Sequence, residues 1–270
     1  MQGSITCVGV GMMLGAHLSP VSLSHIEQAD IVFCGVSDPL VELWLKELNA
    51  NVRSLQPCYA HGKSRHLSYR EMVDTMLSEV RLGKKVVGAF YRHPGVFAKA
   101  PHQAVTIARN EGFEAQMLPG ISAADCLYAD LGIDPGQNGC QHFEATQFML
   151  YHRRVDPTAT LILWQIGLAG DLDMGLTITD AKNRQLLLEE LYRLYSPEHS
   201  CWLYEAATTA LASPRREAIK LRELVEATLA LHTTLVIPPA AKPEPNLEMR
   251  ARLAALGSKA PLYHQPEESV

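Results

Sequence analysis

Tyr59, Arg65 and Tyr69 stand close together in one polar stretch, QPCYAHGKSRHLSY. A phenol that loses its proton is a general base, and a fixed guanidinium stabilises an oxyanion. Together such groups can take a proton from a weak acid and hold the negative charge that builds on a neighbouring oxygen. A free phenol ionises near pH 10, so an adjacent Arg is expected to favour the phenolate. The same residues also have a plain structural use: Tyr59 as a half-buried packing residue, Arg65 as a solvated cation, Tyr69 as the edge of an amphipathic helix. Spacing alone favours that use.

A second pair of segments offers a place to bind something. The apolar run 86–91 has the pattern of a strand buried on both faces and enters the turn His93-Pro94-Gly95. A shorter strand-like run, 115–118, enters Pro119-Gly120. Ser122 then stands as a helix N-cap with Asp125 three residues on, a variant of the capping box. In an open α/β sheet, ligands bind outside the carboxyl ends of the strands, which places a cleft at these two turns. Gly120 is expected to leave room there for a ligand. Gly9, Gly11 and Gly15 are one residue too widely spaced for a dinucleotide fingerprint and lack its later acidic residue, so they are expected to serve a tight strand-to-loop turn.

The elements that must position these groups alternate. Strands are expected over 4–10, 30–34 and 52–55. Helices are expected over 19–29, with Val21, Leu23 and Ile26, and over 38–48, with Leu40, Val41, Trp44, Leu45 and Leu48 inward. That is the βαβαβ order of a parallel sheet. A helix over 68–82 turns Met72, Val73, Met76, Leu77 and Val80 to one face. Ser68 and Glu71 are its expected capping box, with Leu67 and Met72 as a hydrophobic staple. If it starts near Ser64 instead, Arg65 and Tyr69 become i, i+4 neighbours. A further helix is expected over 101–110. The turn-rich run 134–139 is taken as a linker, dividing the chain into domains 1–133 and 134–240 and a tail, 241–270. In the second domain, strands over 142–145, 160–166, 201–205 and 234–237, with helices over 183–195 and 221–227, predict a mixed sheet. A short helix is expected over 247–256.

The chain has 270 residues, 47% hydrophobic and 20% charged, with a net charge of −5. That suits two soluble domains. No block of Lys and Arg suggests a nucleic-acid surface, and no apolar run spans a bilayer. The start, MQGSITCVGV, lacks the features of a signal peptide, so a cytoplasmic location is expected. Six cysteines without a C-x-x-C pair are expected to be free, and the histidines, His61 and His66 included, form no metal motif.

Taken together, the segments resemble a known superfamily. The loops Tyr91-Arg92-His93-Pro94-Gly95-Val96-Phe97 and Leu118-Pro119-Gly120-Ile121-Ser122-Ala123 are similar to the S-adenosyl-L-methionine loops of the tetrapyrrole methylases, and more closely to the peptide-modifying borosin backbone α-N-methyltransferases. DCLYADLGIDPG, FEATQF, LWQIG, WLYEA and LVIPP extend the likeness in order along most of the chain. Arg92 departs from the Gly expected in the peptide branch; if that position needs a positive φ, Arg92 strains the turn. His93 departs from the Gly-Asp-Pro of the ring-methylating members.

The resemblance implies two α/β domains, the first mainly parallel and the second mixed, with the cofactor in the cleft between them. It implies catalytic roles for Tyr59, Arg65 and Tyr69. Tyr91, His93, Val96, Phe97, Ser122, Ala123, Gln165, Tyr204, Ala206 and Thr234 are implied as cofactor contacts, with S-adenosyl-L-homocysteine as the cofactor product. The implied activity is iterative N-methylation of backbone amides in a ribosomal precursor peptide with a leader and an apolar core. The implied assembly is a homodimer, or a heterotetramer with two peptides. The tail beyond Pro239 carries no apolar core-peptide run, so a separate precursor, modified in trans, is expected. The alternatives are a tetrapyrrole or precorrin-type methyltransferase and a catalytically weak peptide-binding homologue.

Overall fold

The computed structural model describes residues 2–59, 63–172 and 177–257. Its first half is a five-stranded, wholly parallel sheet built from β1 (Ser4–Gly9), β2 (Ile31–Gly35), β3 (Val52–Ser54), β4 (Lys85–Phe90) and β5 (Glu114–Met117), in the order β3-β2-β4-β1-β5. Helices α1 (Pro20–Glu27), α2 (Pro39–Leu48), α3 (Arg65–Arg81) and α4 (Lys99–Asn110) cover both faces. The period-two alternation of a strand decides which face each side chain serves. Ile5 and Cys7 of β1 pack with Met72, Met76 and Leu77 of α3 and Ala104 of α4. Val8, with Val32 and Val87, packs instead with Ile26 of α1 and Val41 and Leu45 of α2.

The helix starts follow their caps. Ser19 accepts from the Ser22 amide ahead of Pro20, and Asp38 accepts from the Leu40 amide ahead of Pro39. Helix α3 starts at Arg65, not at the residue after Ser68. Ser64 caps it by accepting from the His66 amide, while Ser68 is buried with its hydroxyl unpartnered. The expected staple fails accordingly, with Leu67 exposed. Two expected core residues, Val21 and Leu40, are also exposed, because each sits in the first turn of its helix beyond the edge of the sheet-facing stripe.

The second half holds α5 (Ala123–Leu131), a short α6 (Pro135–Asn138), β6 (Cys140–Glu144), α7 (Ala145–Leu150), β7 (Thr160–Trp164), α8 (Ala181–Leu191), β8 (Ser200–Glu205), β9 (Arg215–Lys220), β10 (Thr234–Ile237) and α9 (Leu247–Ala255). The sheet is mixed, in the order β6-β7-β10-β8-β9: β6 and β7 run parallel, and the other pairs are antiparallel. The linker expected over 134–139 is α6, and the segment expected as a helix over 221–227 is a 3-10 turn, Leu221–Val225. Strand β9 and helix α7 were not expected. In β9, five of six residues are not buried, so it lacks the apolar signal of an interior strand. Helix α7 is only six residues and starts on Glu144, whose carboxylate accepts from the Thr146 and Gln147 amides.

By packing, α5 serves the second sheet, although it precedes the expected boundary at 133/134. Its Leu127 is fully buried against Ile162, Trp164, Tyr204 and Val236. The six cysteines are free, and burial pushes the Cys7 and Cys201 thiols up to about 12, which suits inert core residues. Among the described residues no helix is long and apolar enough to cross a membrane, and no cluster of His, Cys, Asp or Glu could hold a metal. His61 lies outside the described residues.

Candidate active site

The carboxyl ends of β1, β2 and β4 open onto a cavity of about 310 Å³, closed on its far side by residues of the second half. Tyr91, Ala123, Tyr204, Ala206 and Thr234, five of the ten expected cofactor contacts, line it. So do Met12, Ser37, Asp38, Arg92, Thr208 and His232, among others not anticipated. The Ser37-Asp38-Pro39 step could have been found, since it sits where β2 hands over to α2. His17 shapes the cavity indirectly: its Nδ1 accepts from the Met12 and Met13 amides at 3.2 and 3.4 Å, folding the loop after β1 over the opening.

The glycines of the first loop bring backbones together. A Cβ at Gly9 would lie 2.2 Å from the Arg92 carbonyl oxygen and 2.8 Å from Pro94. Gly11 exchanges hydrogen bonds with Arg92 in both directions, at 3.0 and 3.2 Å. Gly120 corrects its expectation: its Cβ would meet the Arg92 oxygen and Gly9 Cα at 3.2 Å, so it packs the loops against each other and does not face the ligand space.

Among the described residues, three other than glycine have positive φ: Arg92 at 64°, Phe97 at 51° and Gln165 at 58°. The strain expected at Arg92 is therefore present. All three lie in segments named for the cofactor, and such strain collects where function over-determines the backbone. Phe97 is 59% exposed and its ring lies 6.0 Å from Trp164, joining the first loop to the second sheet. Val96 is exposed beside it. His93 folds back on its own turn, its Nδ1 accepting from the Gly95 amide at 2.9 Å. Ser122 and Asp125 form the expected capping box, which occupies the Ser122 hydroxyl. Tyr204 donates to Asp130 of α5 at 2.7 Å; burial, then this carboxylate, raise its pKa, so it is a neutral latch between helix and sheet.

Tyr59, Arg65 and Tyr69 do meet. The two tyrosine rings are edge-to-face at 6.4 Å, and Arg65 is near enough to act on the Tyr59 phenol. Arg65 does favour the Tyr59 phenolate, as expected, but other contributions outweigh it. The Tyr59 pKa is raised, first by burial and then by Tyr69, and Arg65 opposes this only in part. The group therefore stays a phenol at neutral pH. The trio does not line the 310 Å³ cavity. It sits beside the outgoing end of the 91–97 loop, where Lys99 Nζ lies 3.1 Å from His66 Nδ1 in the first turn of α3.

Next to Phe97, Trp164 Nε1 donates to His142 Nδ1 at 3.1 Å, and His142 Nε2 meets the Tyr128 hydroxyl at 2.7 Å. Nδ1 is thus the acceptor, and the ring is neutral with its proton on Nε2. Burial lowers the His142 pKa. A lowered folded-state value means the stability it contributes is present above the ordinary 6.5 and is lost as pH falls below it. Trp164 fluorescence should therefore shift on acidification below that value, with the shift absent in His142→Gln. An unchanged acid transition in that variant would show that the His142–Trp164 bond does not report it.

The family description Tetrapyrrole (Corrin/Porphyrin) Methylases matches residues 4–224. The chain belongs to this family. Among curated relatives, the chain is 38% identical to the methyltransferase/ribosomally synthesized cyclic peptide gymnopeptides precursor of Gymnopus fusipes, over 95% of this chain and 62% of that protein. It is also 38% identical to the methyltransferase/ribosomally synthesized type I borosin cyclic peptide precursor of Coprinopsis marcescibilis, over 98% and 70%. The chain thus spans about three fifths of the length of the first of these. Among solved structures, cobalt precorrin-4 methyltransferase superposes with a TM-score of 0.63 at 17% identity, covering 89% of this chain and 96% of that one, a likeness of fold. The two α/β halves of the methylase fold, one parallel and one mixed, are as the sequence implied.

Proposed function

We propose that the chain is an S-adenosyl-L-methionine-dependent methyltransferase that N-methylates backbone amides of a ribosomal precursor peptide, iteratively and in trans. The observation that carries this is the meeting of Tyr59, Arg65 and Tyr69 beside the 91–97 loop. An amide nitrogen is a poor nucleophile because its lone pair is shared with the carbonyl. Methylating it needs removal of the N–H proton and a counter-charge for the imidate-like oxygen. A tyrosine phenolate and a guanidinium supply those two things; an amine or a thiol, which develops no oxyanion, has use for the base alone. Tyr69, at the start of α3, is placed as the base, Arg65 as the oxygen's partner, and Tyr59 as the group that orients Tyr69.

The cofactor, when bound, supplies the methyl group from its sulfonium and leaves as S-adenosyl-L-homocysteine. The chain's residues fit it on two counts. The cavity is of the size that takes small molecules, and its loops approach through Gly9, Gly11 and Gly120 with a buried, unpartnered Arg92 nitrogen among them. The relatives named above are precursors of cyclic peptides, which supports a peptide acceptor. Recognition of successive residues with different side chains is best met by backbone contacts at the cleft and a leader docked elsewhere, which raises the local concentration of the core. The homodimer, or heterotetramer with two peptides, is proposed with this reading; helix α9 leaves Leu247, Met249, Leu253 and Leu256 exposed and buries none of its residues.

The test is mass spectrometry of a precursor peptide incubated with purified protein and S-adenosyl-L-methionine. Gains in steps of roughly 14 Da, one CH₂ each, should fall on amide nitrogens in fragment spectra, and a core lacking its leader should react far more slowly. Modification confined to side chains, to the chain's own tail or to an added porphyrinoid would defeat the proposal.

A further inference from the structure

Arg92 lines the cavity with no hydrogen-bonded or ionic partner for its side chain among the described residues. Its backbone is fixed from three sides: paired with Gly11, pressed against the face of Gly9 and closed over by Gly120. That clamp holds it at φ 64°, a conformation that disfavours any side chain. Its guanidinium carbon lies 5.1 Å from the centre of the Tyr91 ring, which orients the group along the wall. Its Nε is buried and has no hydrogen-bond partner, and no ion pair to Arg92 occurs among the described residues. Arg92 is also the only permanent cation among the described lining residues; His232 is engaged with Glu205 at 3.6 Å, and the Asp38 carboxylate caps α2.

Nε is shut off from the cavity, whereas the two Nη nitrogens are neither buried nor hydrogen-bonded among the described residues and can meet an acceptor that arrives with a ligand. Their N–H groups form a parallel fork that matches a carboxylate with two bonds. The cofactor assigned above carries one carboxylate. Its sulfonium and its ammonium are cations, which a guanidinium repels. We propose that Arg92 holds the α-carboxylate at the methionine end of S-adenosyl-L-methionine, and that the strained backbone is kept in order to aim it there. This inference rests on the cofactor assignment.

The test is calorimetric titration of wild type, Arg92→Gly and Arg92→Lys with three ligands: S-adenosyl-L-methionine, S-adenosyl-L-homocysteine and decarboxylated S-adenosylmethionine. Thermal unfolding without ligand is the control. Arg92→Gly should bind the two carboxylate-bearing ligands on the order of tenfold to a hundredfold more weakly and the decarboxylated one within about twofold of wild type. Arg92→Lys should recover only part of the loss, because an ammonium cannot offer the fork. The ligand-free Tm of Arg92→Gly should not fall, since glycine relieves the positive φ. An equal loss for all three ligands, or no loss for any, overturns the role of Arg92 while leaving the cofactor assignment standing. Failure of wild type to bind either carboxylate-bearing ligand overturns the cofactor assignment, and the inference with it.

Discussion

Arg65→Ala and Tyr69→Phe are each expected to lose about a hundredfold or more in single-turnover methylation, while S-adenosyl-L-methionine binds within about twofold of wild type. The separation follows from where the residues sit. Neither lines the cavity assigned to the cofactor, and both lie on the first turns of α3 beside the loop that ends at Phe97. A group that touches only the reacting amide is felt where charge develops, in the transition state, and not in cofactor affinity. Removal of one oxyanion donor costs about 3 kcal/mol, which is the hundredfold. Single-turnover rates close to wild type in both variants, on the same precursor, would return Tyr59, Arg65 and Tyr69 to a structural role.

The parallel half of the fold was legible because its signals are local: two Pro-led helix starts, apolar runs of strand length and one residue type per face of α3. The same locality explains the misses. Ser64 and Ser68 are equally good caps by composition; Ser64 takes the role, and Ser68 lies buried one turn inside the helix. Strand β9 alternates too weakly to show, since it is an edge strand with charged residues facing water. At the site, the trio was legible as residue types in a pattern, and five residues that line the cavity were named through the family resemblance. What linear sequence could not carry was direction. Arg65 lies beside Tyr59, but whether the phenol's pKa falls or rises depends on burial, a three-dimensional quantity that here outweighs the charge. Gly120 was legible as a turn glycine, but which neighbour it makes room for depends on two other loops. The departure at Arg92 was visible in sequence, and its unpartnered nitrogen was not.

Gly9→Ala is expected to lower the Tm by on the order of 10 °C and to abolish measurable S-adenosyl-L-methionine binding, whereas Gly15→Ala should cost only a few degrees. The two glycines belong to the same run, GVGMMLG, and a fingerprint view would treat them alike. Their surroundings differ. A methyl at position 9 would stand 2.2 Å from the Arg92 carbonyl oxygen, and the obstacle is backbone that Gly11 and Gly120 hold in place, so nothing flexible can yield. Overpacking of this kind costs about 3 kcal/mol. The relief available is to push the 91–97 loop away from β1, which moves Tyr91, Arg92 and Phe97 together and opens the cavity. A methyl at position 15 has no atom nearer than Trp44 at 3.9 Å, but it must adopt φ 72°. That is a conformational cost of about 1 kcal/mol with no displaced neighbour. Unfolding curves and calorimetry on the two variants decide the matter. If Gly9→Ala keeps both its Tm and its cofactor affinity, the β1 and β4 loops are not clamped as described, and the cavity does not depend on their close approach.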